Sequence, residues 1–201
     1  KWSPGSTTVT TLATFNQTNG RQPGGLTMDS SGNIYGITSY GGTYDDGTVF
    51  KINAGSNSLT TLATFSGANG SIPTSTPILD NAGNIYGTTK LGGDSNLGEV
   101  YRLNAVDQQI VPLGYFNGVN GKYPSGLIRD ENGNLFGTVY GGSDSLNGAV
   151  YKIQGNSLEL TSVAFFGSPL LTGSAPVTSL VADQYGNLYG GTLCGGTADE
   201  G

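Results

Sequence analysis

A chain of 201 residues can form one β domain, and its 35 glycines, with abundant Thr, Ser, Asn and Tyr, describe many short strands joined by tight turns. Eight Lys+Arg against 14 Asp+Glu give a formal charge of −6, and the basic residues are scattered singly rather than gathered into the stripe a nucleic-acid binder needs. Histidine is absent, which removes Ser-His-Asp and Cys-His nucleophile systems and most zinc sites; one cysteine allows no internal disulfide, and no apolar run reaches a membrane-spanning length.

Four copies of one pattern follow each other at a period of about fifty residues, anchored by Asp29, Asp80, Asp130 and Asp183. The chain enters in the middle of a copy, since Lys1-Trp2 matches Lys51-Ile52 and Phe15 matches Phe65. In the first whole copy, Gly24–Asp29 is a short strand ending in the turn S-S-G-N, whose glycine and asparagine suit positive backbone angles. Ile34–Ser39 makes the second strand, Thr48–Asn53 the third and Leu59–Phe65 the fourth, the last closing on an apolar Phe. Loops carrying Pro23, Pro73, Pro124 and Pro176 lead into the successive copies, whose inner strands begin near residues 24, 76, 125 and 178. No helical periodicity of useful length occurs.

Four short antiparallel strands per fifty residues predict an all-β chain, a β-propeller built from four repeats, each a four-stranded antiparallel blade, within a single domain spanning 1–201. The aromatic at Tyr35, Tyr86, Phe136 and Tyr189 is expected to fill the space between neighbouring blades. The glycine after each aromatic would let a neighbouring ring or backbone approach. Cys194, aligned with Tyr40, Leu91 and Tyr140 ahead of the double glycine, reads as a small buried hydrophobe.

The core P-x-G-L-x-x-D-x-x-G-N-I-Y resembles the inner hairpin of NHL-type propeller repeats. The fuller pattern, D-x-x-G-N-[IL]-[YF]-G-x-T, a double glycine, then G-x-V-[FY]-[KR]-[IL], is similar to the GloVer tandem repeat of bacterial proteins and covers essentially the whole chain. Arg102, Phe136 and Ala149 are mild departures, and the fourth copy lacks its third strand. The resemblance implies secreted or surface-anchored bacterial proteins with propeller-like repeats and carries no catalytic residues. The NHL-like correspondence implies that the strand after the proline is innermost, and alternating strand directions place the S-S-G-N turns and A-G-S-N-S connections on one face. The longer proline and double-glycine loops then share the other.

Lys1 and Gly201 fall on either side of one third-strand segment, and no Met opens the chain. Two arrangements follow: residues 1–15 complete the fourth blade and close a ring, or the copies are a fragment of a longer repeat protein, which is favoured. An unpaired strand edge would invite strand addition and self-association, with a filament as one outcome.

Candidate ligand-binding residues lie on the longer-loop face: Tyr40, Tyr44, Asp45, Asp46, Asp94, Asn96, Tyr123, Tyr140, Asp144 and Asn147. The acidic and amide-rich double-glycine loops offer the oxygens calcium prefers, but they have no EF-hand pattern, and turn formation explains them as well. Tyr40, Tyr123 and Tyr140 could form a sugar platform or simply cap the blade cores. Asn16 and Asn69 open N-x-[ST] acceptor patterns. Asp29 and its equivalents recur too regularly to be a unique catalytic pair and are assigned to turns.

These features lead to a non-catalytic extracellular or cell-surface scaffold or binding module, with protein or carbohydrate partners, no nucleic acid, no membrane span and no required cofactor. The alternatives are a secreted carbohydrate-binding or carbohydrate-active propeller and a structural fibre subunit.

Overall fold

The computed structural model describes residues 1–142, 147–155, 159–166 and 173–195. These residues contain strands and turns and no helix. The first repeat is an antiparallel sheet of β1 (Arg21–Met28), β2 (Ile34–Tyr40), β3 (Thr48–Ile52) and β4 (Leu59–Thr64), paired in chain order. The third repeats it with β10 (Lys122–Arg129), β11 (Leu135–Gly141), β12 (Ala149–Ile153) and β13 (Leu160–Phe165).

The second repeat has the same order but splits its inner strand into β5 (Ser71–Pro73) and β6 (Ile78–Leu79), both paired to β7 (Ile85–Leu91), with β8 (Glu99–Leu103) and β9 (Ile110–Tyr115) outside. Pro77 stands where the first repeat has Leu26 and lacks the amide proton a ladder bond needs. Ser75 takes over part of the pairing, its Oγ accepting the Thr88 N–H at 2.9 Å. The fourth repeat contributes two short pairs, β14 (Ser174–Pro176) with β17 (Thr192–Cys194) and β15 (Val181–Ala182) with β16 (Leu188–Tyr189). The expected four-stranded blade is therefore present in three repeats, while the fourth shows only its inner strands among the described residues.

Register corrects one alignment. Tyr40 pairs with Arg21 and Gly141 with Lys122, so Gly141 is the counterpart of Tyr40 and Cys194, and Tyr140 falls one position earlier. Cys194 itself is half-buried.

Each D-x-x-G-N turn is closed by its aspartate. Asp29 Oδ1 accepts the N–H groups of Ser31 and Asn33, and Oδ2 accepts from the Asn33 amide at 2.8 Å and the Tyr35 hydroxyl at 3.2 Å. Asp80 and Asp183 repeat all four bonds. The asparagine side chain then crosses to the next turn: Asn33, Asn84 and Asn134 accept from the backbone of Ala54, Ala105 and Gly155. These bonds hold the two short turns of each of the first three repeats on one face. Asn84→Ala is expected to cost about 1–2 kcal/mol by leaving these donors and acceptors unpaired; urea unfolding measures it.

The core lies between successive sheets. One cluster joins Ile37, Val49 and Phe65 of the first repeat to Ile85, Tyr101 and Leu103 of the second. Another joins Val100, Leu113 and Phe116 to Leu127, Leu135, Tyr151 and Ile153. At each seam the Phe after an outer strand meets the third-strand aromatic of the next repeat edge-on: Phe15 with Phe50 at 4.9 Å, Phe65 with Tyr101 at 5.0 Å, Phe116 with Tyr151 at 5.0 Å. Of the aromatics expected to fill these seams, Tyr35 and Tyr86 pack half-buried against the two clusters from the rim, Phe136 is likewise half-buried, and Tyr189 is exposed, so the fully buried third-strand rings seal the seams. The hydroxyls of Tyr35, Tyr86 and Tyr189 are drawn to the turn carboxylates, which stay near solvent. The glycine after the rim aromatic does admit a ring: a Cβ on Gly87 would strike the Tyr101 phenol, and one on Gly36 the Phe50 ring.

Residues 1–15 keep the contacts of an outer hairpin. Lys1 and Thr10 exchange backbone bonds, the counterpart of the Lys51–Thr60 pair, and Phe15 takes the place of Phe65.

Candidate binding site

On the face opposite the short turns, each repeat is tied to the one before. The N–H groups of Ile72, Tyr123 and Ala175 donate to the carbonyls of Asp46, Leu97 and Asn147 at 2.9, 2.9 and 2.7 Å. All three donors have φ between 53° and 57°, the left-handed region that non-glycine residues seldom enter. The prolines that follow them dock on the preceding repeat; Pro124, for example, covers Gly98 so closely that a Cβ there would lie 2.6 Å from its Cδ. Double-glycine and proline loops meet on this face, with Gly93 N donating to Gly67 O and Gly42 N to Gln17 O, as the strand directions predicted.

The recurrent joint positions a cleft of about 650 Å³ across the second, third and fourth repeats. Thr74, Lys90, Tyr123, Pro124, Tyr140 and Pro176 are among its walls. Tyr123 is fixed there by its inter-repeat backbone bond, and Tyr140 stands at the end of β11, 46% exposed. The Lys90 and Lys122 ammonium groups each lie 5.9 Å from the centre of the Tyr123 ring. Two of the predicted tyrosines thus share one site.

The remaining predicted residues are placed elsewhere. Tyr40 carries the Arg21 guanidinium over its ring at 4.5 Å, and Arg21 forms a bidentate pair with Asp45 at 3.2 and 2.8 Å. Asp45 also accepts from Gln17 and the Gly41 N–H, and the Arg21 hydrogen bonds hold its carboxyl below the usual carboxylate range, with Gly41 adding to the effect. Asn96 copies this role, its Oδ1 accepting Gly92 N–H at 2.9 Å. Asp46 accepts the Ser71 hydroxyl at 2.5 Å. Tyr44 and Asp94 are exposed, Asn147 supplies the inter-repeat carbonyl, and Asp144 lies outside the described residues. The oxygens of Asp45, Asp46 and Asn96 that a calcium ion would require serve the loops themselves, and no cluster of three acidic, His or Cys ligands occurs among the described residues. Asn16 is exposed in a turn in which its Oδ1 accepts from Thr18 and Asn19, whereas Asn69 Oδ1 closes the adjacent turn onto Ser66.

Two features escaped sequence reasoning. Lys90 and Lys122 are 32 positions apart, and only the stacking of repeats brings them to one ring. Glu99 sits on β8 opposite Thr89, where the first repeat pairs Thr38 with Thr48 and the third pairs Val139 with Ala149. It is fully buried with neither carboxyl oxygen hydrogen-bonded, and burial, with the nearby Asp94 charge, pushes its pKa up to about 8. Aligning the repeats exposes this acid as out of pattern.

Antiparallel sheets of four strands, stacked face to face through aromatic seams, define an all-β repeat protein of propeller-like architecture. The chain belongs to the Gloeobacter/Verrucomicrobia repeat family, whose model matches residues 1–201. Among solved structures it is similar to TolB from Acinetobacter baumannii (12% identity, 87% of this chain and 37% of TolB, TM-score 0.57). It is also similar to XC5397, a gluconolactonase from Xanthomonas campestris (13% identity, 84% and 54%, TM-score 0.56). A third is the extracellular domain of the hybrid two-component system BT4673 from B. thetaiotaomicron (14% identity, 85% and 20%, TM-score 0.55). The chain therefore spans from a fifth to about half of these proteins. A comparison with curated proteins returned no match. No helix among the described residues is long and apolar enough to cross a membrane.

Proposed function

We propose that the protein is a non-catalytic binding module that works outside the cell or at its surface and takes its ligand in the Tyr123–Tyr140 cleft. The observation that carries this reading is the cleft itself: exposed Tyr140 and Lys90 beside half-buried Tyr123 between three repeats, on a scaffold where Asp45, Asp46 and Asn96 are committed to the loops. Hydrolysis by paired carboxylates would need two accessible acids across one cleft. Asp45 and Asp46 are held by Arg21 and Ser71, and Glu99, the acid with a strongly raised pKa among the described residues, is sealed from solvent. The gluconolactonase neighbour shares the fold alone at 13% identity, and no acidic residue is among the cleft's described walls.

Binding to a panel of glycans and surface proteins tests this reading. Tyr140→Ala is expected to weaken the ligands found by about tenfold, the loss of one aromatic contact of roughly 1–1.5 kcal/mol. A panel without ligands, or ligands indifferent to Tyr140, would remove it.

A second reading rests on a separate observation. Leu26 and Met28 of the first repeat are 57% and 61% exposed, whereas Leu127 at the equivalent place in the third is 4% exposed. A groove of about 930 Å³ runs between them and residues 1–15. We propose that the inner strands of a further repeat fill it, pairing with residues 1–15 as outer strands. The fourth repeat of the same chain, closing a four-bladed ring, and a neighbouring copy are the two sources. Sedimentation over a wide concentration range separates self-assembly from a monomer.

A further inference from the structure

We infer that the ligand of the Tyr123–Tyr140 cleft is a polysaccharide bearing carboxylates, of the uronic-acid kind. This rests on the cleft being the binding site and adds the chemical class of its occupant.

Charge comes first. The chain has eight basic residues against 14 acidic ones. Of the basic residues, Arg21 is paired with Asp45, while Lys51, Arg129 and Lys152 lie over the rim aromatics Tyr35, Tyr86 and Phe136, and Arg102 is bonded to Asn104. Lys90 and Lys122 differ. They flank one ring from two repeats, stand no farther apart than twice 5.9 Å, and have no carboxylate partner among the described residues. Lys90 lines the cleft and Lys122 reaches the same Tyr123 ring that walls it, and in a protein of net charge −6 this pair creates a local positive field beside the cleft. An anion there gains two charge-assisted contacts.

Shape and surface chemistry select the anion. The walls combine tyrosine rings with Pro124, Pro176 and Val177, so the site offers flat apolar faces beside hydroxyl groups. A pyranose ring presents the matching surfaces, an apolar C–H face and a hydroxylated edge. A carboxylate at C5 then points outward toward an ammonium. The cleft is open and crosses three repeats, which suits a chain rather than a compact ion. An acidic peptide would satisfy the lysines but would leave the rings without a flat partner.

The test titrates hexagalacturonate, its methyl-esterified form and hexaglutamate into the wild type, Tyr140→Ala and the Lys90→Gln/Lys122→Gln double variant. Unchanged thermal melting serves as the fold control. The inference expects hexagalacturonate to bind, the esterified form to bind at least tenfold more weakly, and the lysine variant to lose the distinction between them. Affinity should fall several-fold between 0.05 and 0.3 M salt, as screening shortens to roughly a Debye length of 5–6 Å at the upper value. Equal binding of the esterified form, with Tyr140 still required, overturns the inference and keeps the binding module. Hexaglutamate binding as tightly also overturns it, in favour of an acidic protein partner. Absence of binding by all three probes overturns it too, and the broader panel then decides whether the module reading survives.

Discussion

Glu99→Gln is expected to raise stability at pH 9 by roughly 2–4 kcal/mol and to leave it nearly unchanged at pH 4. The Glu99 carboxyl is sealed beneath the loops of the second repeat, its oxygens facing Gly70 and Gly93 without a hydrogen-bond donor, and its pKa stands near 8 against an ordinary 4.5. A carboxyl whose folded pKa is raised contributes its full share of stability below the unfolded value. It loses that share as pH rises toward the folded value, because the unfolded chain ionises first. Each pKa unit is worth about 1.4 kcal/mol, and water admitted on ionisation reduces the total, hence the range given.

The turn aspartates act with the opposite sign. Hydrogen bonds from Asn33 and Asn187 hold the carboxyls of Asp29 and Asp183 low; at Asp80, burial opposes the shift, but bonds from Asn84, Tyr86 and Ala82 outweigh it. Their contribution is present above the ordinary aspartate value and is lost as pH falls through their depressed ones. The wild type should therefore be most stable at about pH 4–5, and the glutamine variant should stay at its maximum up to neutral pH and beyond. Urea denaturation midpoints from pH 3 to 9 measure this. Parallel profiles for the two proteins would refute a buried, unpartnered acid.

Phe116→Ala is expected to destabilise by about 3–5 kcal/mol, the range for emptying an aromatic site in a packed core. Phe116 is fully buried and edge-on to Tyr151, so the cavity opens inside the seam between the second and third repeats rather than within a sheet. Stacked repeats share stability through such interfaces, and a weakened seam should broaden or split the unfolding transition. Tyr151→Phe provides the contrast. The Tyr151 hydroxyl is buried without a partner, burial alone raises its pKa, and the first repeat already has Phe50 at this position. Removing it should be neutral or stabilise by about 1 kcal/mol. Guanidinium unfolding monitored by calorimetry and tyrosine fluorescence tests both; a loss below 1 kcal/mol for Phe116→Ala would show that the seam is not the structural core.

Much of the sheet was legible because strand alternation and turn chemistry are local. β2, β3 and β4 fall within a residue of their predicted limits, and β1 begins three residues earlier, at Arg21. The aspartate turns and the sorting of loops onto two faces were legible for the same reason. The seam aromatics were legible only in part, since the Tyr35 and Phe50 positions are both aromatic in the first three copies and only packing shows which is sealed and which meets the seam from the rim. Of the candidate site, Tyr123 and Tyr140 come together, while Tyr40, Asp45 and Asn96 prove to be parts of loop joints. Their side chains looked alike in sequence because turns and ligand sites use the same polar residues.

By itself, then, the amino-acid sequence determined the repeat, its strands, its turns and the identity of its two faces, all set by hydrogen bonds and side-chain periodicity within some fifty residues. Only the tertiary structure decided which aromatics seal the repeats together, that Glu99 is buried without a partner, and that Lys90 and Lys122 meet at one tyrosine. Those outcomes depend on how one sheet stacks on the next, an interaction between residues far apart in the chain that no local pattern encodes.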